Sequence, residues 1–317
     1  MKILLSGAGG FVGRQAAMEL AAAGHQVLTT DRSGAVDLPG DLSDEQFCRG
    51  LPDVDAVVHG AAVQYVSADL PLGARRAYFQ RNNVEATRLL CRRYAGAPTH
   101  FIYIGTSMMY AQDGSTLYTV RSPMAGQGIY SRSKLAALRF VRQLPNPHAT
   151  VLPCIIGGPG REGLFRPFVA MAKRGTVAYP GEGRNPISMV HVADVASLIR
   201  HVVASRAKGL FNAAAADALC IEQWIDLIQA QLGMRRVRRL RIPLAPVRGL
   251  SWLTGYRLLA REQLLMLARP HVLAIEESLA LGWRPLYDSA RIVRDTADFL
   301  HKPSHHPVDP GVRRQNT

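Results

Sequence analysis

Short apolar runs alternate with longer amphipathic stretches through the first half of the chain, the pattern of βαβ units built on a parallel sheet. Lys2–Ser6 and residues 26–30 read as strands, and 11–23 reads as the helix between them, closed by Gly24. Further strands are predicted at Ala56–His59, 101–105 and 150–156, with helices over about 73–95 and 130–144 between them. That order describes a doubly wound α/β sheet. After Ile156 the rhythm breaks at Gly157-Gly158-Pro159-Gly160 and at Tyr179-Pro180-Gly181-Glu182-Gly183; a helix around 193–205 and a strand at 210–212 restore it. From about 221 onward the pattern is mostly helical. The expectation is a Rossmann-type domain from 1–156 plus about 191–215, and a smaller, mostly helical substrate lobe from about 157–190 and 216–301. The polar, proline-containing residues 302–317 read as a frayed tail.

Composition narrows the class. With 317 residues, 48% of them hydrophobic and 20% charged, the chain can bury a sizeable core and is neither disordered nor fibrous. Cys48, Cys91, Cys154 and Cys220 show no C-x-x-C and no partner His spacing, so they read as reduced core residues and no metal site is expected. No stretch of about 18 residues is free of charge, and Lys2-Ile3-Leu4-Leu5 opens without a leader pattern, which favours a cytoplasmic protein without a transmembrane segment.

A net charge of +14 raises nucleic acid or an anionic surface as a partner. Only five of the 38 basic residues are lysine, however, a skew that codon composition produces more readily than selection for a binding face. No nucleic-acid partner is expected. The local exception is Arg235-Arg236-Val237-Arg238-Arg239-Leu240-Arg241: a solvated edge is its plain reading, and peripheral membrane contact through 235–270 stays open.

Ser6-Gly7-Ala8-Gly9-Gly10-Phe11-Val12-Gly13 follows a strand and opens a helix. It fits G-x-x-G-x-x-G at Gly7, Gly10 and Gly13, glycines that permit a tight turn, close approach of a pyrophosphate and close helix–strand packing. Asp31, at the end of the second strand, is placed to accept hydrogen bonds from an adenosine ribose and to repel a 2′-phosphate, which favours NAD; Arg32 beside it keeps NADP open. Tyr130 and Lys134 stand at i and i+4, on one face of a helix. A tyrosine with an ordinary pKa near 10 is a poor base at neutral pH, and a nearby ammonium stabilises its phenolate.

With these motifs the chain resembles the extended short-chain dehydrogenase/reductases, the NAD-dependent epimerase/dehydratase family, over about residues 1–300. Gly40-Asp41-Leu42, Val57-Val58-His59-Gly60-Ala61-Ala62, Asn82-Asn83-Val84-Glu85-Ala86-Thr87, Val190-His191-Val192-Ala193-Asp194-Val195-Ala196 and Leu281-Gly282-Trp283-Arg284-Pro285 carry the likeness further. The resemblance implies that Thr106, Tyr130 and Lys134 are catalytic. It also implies a cofactor site completed by Phe11, Val12, Asp41, Leu42, Gly60, Ala61, Ala62, Asn83 and Pro153. His59 and His191 are expected to pack or to satisfy hydrogen bonds, and Asp194 to cap the helix it opens.

Departures from the family patterns bear on the reaction. Sugar-nucleotide dehydratases carry Asp-Glu after the catalytic Thr, where this chain has Ser107-Met108. Nucleotide-sugar epimerases place a diphosphate-binding arginine where Ile187 or Ser188 stands here; Arg166, Arg184 or the 235–241 run are the available substitutes. Gly181-Glu182-Gly183-Arg184-Asn185 and the leucine-rich stretch 242–270, with Leu258 and Leu259, look like the 3β-hydroxysteroid dehydrogenase-like and β-keto-acid reductase-like branch. Met108 and Asn185 are expected to line the substrate pocket. The favoured reading is an NAD(P)-dependent oxidoreductase that interconverts a secondary alcohol and a ketone on an apolar small molecule. A nucleotide-sugar epimerase is the alternative, and a noncatalytic dinucleotide sensor would have no need of the three catalytic residues. Homodimerisation is left open.

Overall fold

The structure is a computed structural model that describes residues 1–65, 70, 71, 73–253 and 261–302. Seven parallel strands form one sheet in the order Gly209–Ala213, His148–Pro153, His100–Ile104, Ala56–His59, Lys2–Ser6, Gln26–Asp31, Leu38–Pro39. The central strands are continuous apolar runs because helices cover them: Ile3, Leu4, Val57, Val58, Phe101, Ile102, Val151 and Leu152 are fully buried. Helix Phe11–Ala22 packs on Val192–Ser205, and Ala86–Tyr94 packs on Ile129–Arg142. Strand order reverses between Lys2–Ser6 and Ala56–His59, which opens a crevice at the carboxyl ends of the strands.

A second core gathers Phe165, Phe168, Trp224, Ile225, Ile228, Ile292 and Val293 from helices Phe165–Lys173, Ile221–Gln231 and Ser289–His301. The run expected as one strand over 150–156 divides at Cys154. His148–Pro153 stays in the large sheet, while Ile155–Gly157 pairs with Ile187–His191 in another. Where the mostly helical pattern was expected, Arg238–Ile242 is a strand beside Thr176–Pro180, since alternation of arginine with leucine and isoleucine suits a period of two. The helix expected over 73–95 is interrupted: Arg75–Phe79 leads into a π-helical turn, Gln80–Glu85, before Ala86–Tyr94. The tail reading beyond Lys302, and Leu258 and Leu259 of the leucine-rich stretch, lie outside the described residues. Among the described residues no helix is long and apolar enough to cross a membrane.

Two expectations are corrected. Asp194 does not cap its own helix. His191 does, accepting the backbone N–H of Ala193 through Nδ1 at 3.2 Å. Asp194, in the first turn, turns away to accept the N–H of Leu286 (2.9 Å) and Tyr287 (3.2 Å), while its carbonyl accepts the indole N–H of buried Trp283. The two family-like segments around Asp194 and Trp283 are thus one knot that fastens residues 283–287 to the Rossmann helix. Cys220 is the second correction: it is half-exposed at the start of helix Ile221–Gln231, whereas Cys48, Cys91 and Cys154 are buried.

Removing the Asp194 carboxylate strands two backbone donors and leaves a buried gap. Asp194→Ala is expected to cost roughly 2–4 kcal/mol of stability in urea unfolding, with Asp194→Asn losing less because its amide oxygen still accepts one donor.

Candidate active site

The glycine loop is closed by its own packing. Gly7 adopts a positive φ of 75°, and a Cβ there would lie 2.6 Å from the backbone nitrogen of Ala61; a Cβ on Gly13 would overlap the Gly7 carbonyl. Gly10 differs, since a Cβ would meet only the Gly7 oxygen, at 3.1 Å, and its other side faces the crevice. Helix Phe11–Ala22 starts there without a side-chain cap or an acidic residue in its first turn, so its N–H groups suit a pyrophosphate. Asp31 is fixed at the far end, Oδ2 accepting Gly9 N–H at 3.0 Å and Oδ1 accepting Arg32 N–H at 2.7 Å. Gly7, Gly10, Asp31, Arg32, Asp41, Leu42, Gly60, Ala61 and Ala62 line this cleft together, with Asn82 and Val63. These residues fit a dinucleotide. Phe11 and Val12 sit in the first turn of the adjoining helix. Pro153 ends its buried strand.

Asn83 is placed otherwise. It is buried, its Oδ1 accepts Val63 N–H at 2.8 Å, and its Nδ2 donates to Val63 O (3.1 Å) and to Ser133 Oγ (2.9 Å). Ser133 donates to the Tyr130 carbonyl at 2.7 Å. From the other side, Thr87 donates to Asn83 O at 2.6 Å, which commits its single proton; His59 Nε2, 2.8 Å away, therefore donates to Thr87. His59 Nδ1 is then the acceptor for Ser6 Oγ at 2.7 Å. His59 is the neutral Nε2–H tautomer, its pKa lowered to about 3 by burial and by the Lys134 charge.

Tyr130 and Lys134 lie in the first half of helix Ile129–Arg142, both buried. Thr106 ends the run after strand His100–Ile104, and its Oγ1 accepts Met108 N–H at 3.3 Å. Lys134 Nζ stands 4.3 Å from the centre of the Tyr103 ring, and burial lowers its pKa to about 7. Burial raises the Tyr130 phenol, the charge of Arg161 works against that rise, and Glu262 adds to it. Neither of these two charged residues is legible from motif spacing. Arg161 comes from the Gly/Pro-rich loop, where its guanidinium lies over the Phe11 ring, 5.6 Å from its centre. Glu262 comes from helix Arg261–Ala268 of the other core and is buried. Its Oε1 accepts Ser131 N–H (3.0 Å) and Ser131 Oγ–H (2.9 Å); its Oε2 accepts Tyr65 O–H (2.6 Å), and Tyr65 in turn accepts the Tyr130 N–H (3.1 Å). The carboxylate occupies the space a side chain at Gly128 would need.

A small cavity beside these groups is lined by Met108, Gln112, Gln127, Glu262, Leu265 and Met266. Asn185 is not among the residues lining it; its amide donates to the carbonyl of Leu267, at 3.5 Å, on the helix that supplies Leu265 and Met266. Of the arginines considered for a diphosphate, Arg166 pairs with Glu162, Arg184 with Glu222 and Arg241 with Glu222 and Glu182.

The family model described as NAD dependent epimerase/dehydratase matches residues 3–214. The chain belongs to this family. It is an extended short-chain dehydrogenase/reductase, and the family is NAD(P)-dependent. Similar proteins include a 2-alkyl-3-oxoalkanoate reductase from Stenotrophomonas maltophilia, 26% identical over 284 residues, 81% of each chain. The crystal structure of human epimerase family protein SDR39U1 with NADPH aligns with a TM-score of 0.76 at 20% identity over 94% of this chain and 99% of that one. MoeE5 in complex with UDP-glucuronic acid and NAD aligns with a TM-score of 0.76 at 19% identity over 94% and 98%. At these identities the two structures establish the shared fold.

In this epimerase/dehydratase-family chain the depressed pKa of Lys134 has a thermodynamic consequence. From about pH 7 to 10.5 the unfolded chain holds the lysine proton and the folded chain releases it, so the unfolded state binds more protons and stability rises with pH across that window. Comparing the unfolding free energy of wild type and Lys134→Met across pH 7 to 10 checks this: the slope, at most about 1.4 kcal/mol per pH unit, is expected to be lower by the lysine's share in the variant. Equal slopes would place the lysine near its ordinary pKa.

Proposed function

We propose that the protein is an NAD(P)-dependent reductase that interconverts a ketone and a secondary alcohol on a largely apolar substrate carrying one carboxylate. The observation that carries this reading is the wall of the cavity beside Tyr130. Met108, Leu265 and Met266 give it a soft apolar surface, and Arg166, Arg184 and Arg241, three of the arginines available to a diphosphate, are paired with carboxylates. Burying two negative charges without matched donors costs several kcal/mol, roughly, whereas apolar substrate gains about 25 cal/mol per Å² removed from water. Among the described residues Arg161 has no carboxylate partner, and one guanidinium suits one carboxylate. Gln112 and Gln127 each keep a buried amide oxygen without a partner, two positions for a substrate hydroxyl. The similarity to a 2-alkyl-3-oxoalkanoate reductase supports the same substrate class, an alkyl-substituted 3-oxo acid.

When bound, the nicotinamide supplies or takes up the hydride. The chain handles the proton. Tyr130, with its pKa raised, holds its proton at neutral pH and gives it to the substrate oxygen in the reductive direction; Thr106 Oγ1 hydrogen-bonds the same oxygen. In the oxidative direction Tyr130 must accept that proton after losing its own, a state that the Arg161 charge favours and that becomes easier as pH rises.

Tyr130→Phe is expected to lower turnover below about a tenth of wild type while leaving NAD(H) affinity within a few-fold, since it removes the proton carrier and leaves the pyrophosphate site intact. In thermal-shift measurements with cofactor present, long-chain 3-oxo acids or hydrophobic ketones should stabilise the protein and UDP should add nothing. Clear protection by UDP would replace this reading with that of a nucleotide-sugar epimerase.

A further inference from the structure

The Arg-rich run that the candidate site leaves unused is followed directly by a helix that exposes large apolar side chains. Strand Arg238–Ile242 pairs with Thr176–Pro180 on one edge only, and all five of its residues are exposed. Successive side chains of a strand point to opposite faces. Arg239 and Arg241 turn to Asp226 and Glu222, which leaves Arg238, Leu240 and Ile242 on the other face. Helix Leu244–Leu253 begins after a single intervening residue, with Trp252 68% and Leu253 74% exposed. Arg235, Arg236, Arg238 and Arg248 are exposed and have no carboxylate partner among the described residues.

We infer that this surface docks the protein on an anionic lipid interface, with Trp252 and Leu253 entering the headgroup and acyl boundary and the arginines meeting lipid phosphates. Three observations select that partner. Exposed tryptophan and leucine beside unpaired arginines form the combination that an anionic interface satisfies on both counts, apolar burial and charge. A second copy of the chain docking the same patch to itself would bring arginines against arginines. A nucleic acid would match the charge and stack a base on Trp252, yet would leave Leu253 without an apolar environment. The location also has a use. Helix Arg261–Ala268, which places Leu265 and Met266 in the cavity wall, packs against helix Leu244–Leu253, so the proposed lipid contact adjoins one wall of the cavity. The inference stands apart from which ketone is reduced.

Tryptophan emission reports it directly, because Trp224 and Trp283 are fully buried and Trp252 is the exposed one of the three. The full-length protein is mixed with vesicles of phosphatidylcholine alone and of phosphatidylglycerol with phosphatidylcholine, and flotation is followed together with the emission maximum. Expected are a blue shift and at least a roughly ten-fold stronger partition onto the anionic vesicles, weakened by salt. Trp252→Glu/Leu253→Glu should retain the wild-type melting temperature, since both side chains are exposed, and lose about ten-fold or more of the partition. Arg235→Glu/Arg236→Glu/Arg238→Glu should lose the preference for anionic lipid. No partition by the folded wild type, or unchanged partition in the Trp252/Leu253 variant, overturns the inference. So does a dimer in light scattering that the Trp252/Leu253 variant dissolves, or binding of single-stranded RNA that displaces the vesicles without moving the emission maximum on its own.

Discussion

Helix Ile129–Arg142, which carries Tyr130 and Lys134, is tied to the glycine-loop strand by one directed line of hydrogen bonds, Ser6 to His59 to Thr87 to Asn83 to Ser133 to the Tyr130 carbonyl. Each hydroxyl on the line donates once and accepts once, so the orientation of every member is determined by its neighbours. The two halves of the site come from segments that are far apart in sequence, and sheet pairing alone leaves their side chains free to adjust. The line removes that freedom in the first turn of helix Ile129–Arg142. It requires a neutral imidazole in the middle, and burial beside the Lys134 charge supplies one.

Two charges of opposite sign reach Tyr130 from outside the sheet. Arg161 favours the phenolate and Glu262 opposes it. The opposing charge has a structural role: Glu262 satisfies two N–H groups of helix Ile129–Arg142, one directly and one through Tyr65, and does so from the helix that also lines the cavity. The electrostatic cost to Tyr130 accompanies a hydrogen-bonded connection between the cavity wall and the helix that carries Tyr130. Tyr130 and the cavity thus share one carboxylate, so a change at Glu262 reaches both.

Sequence pattern revealed the sheet because buried parallel strands have to be apolar throughout, and Lys2–Ser6 and Ala56–His59 appear where the pattern placed them. The tight packing of Gly7 and Gly13 and the placing of Tyr130 and Lys134 on one helix were legible because a close turn and the helical period fix those spacings. Asp194 was misread because a carboxylate at a helix start has a strong local explanation, capping, and its partners at 286 and 287 lie almost a hundred residues away. Glu262 and Arg161 left no local signal at all. They act through loops and lobe helices whose approach to the site is set by tertiary packing, and a single acidic or basic residue in such a segment looks like any solvated charge. Cys154, where the chain changes sheets, was equally silent, since both strands flanking it are apolar.

The π-helical turn Gln80–Glu85 puts one more residue into its circuit than an α-turn holds. Deleting that residue would heal the helix and improve its local hydrogen bonding, yet it would rotate everything downstream by roughly 100° relative to the residues upstream. Thr87 would swing away from His59 while Asn83 stayed behind. The surplus residue therefore acts as a phase shifter between two stretches of one helix, and chain length across this segment is constrained by an angle. A shorter version of the segment would look like a better helix and would lose the registry between the glycine-loop strand and Tyr130.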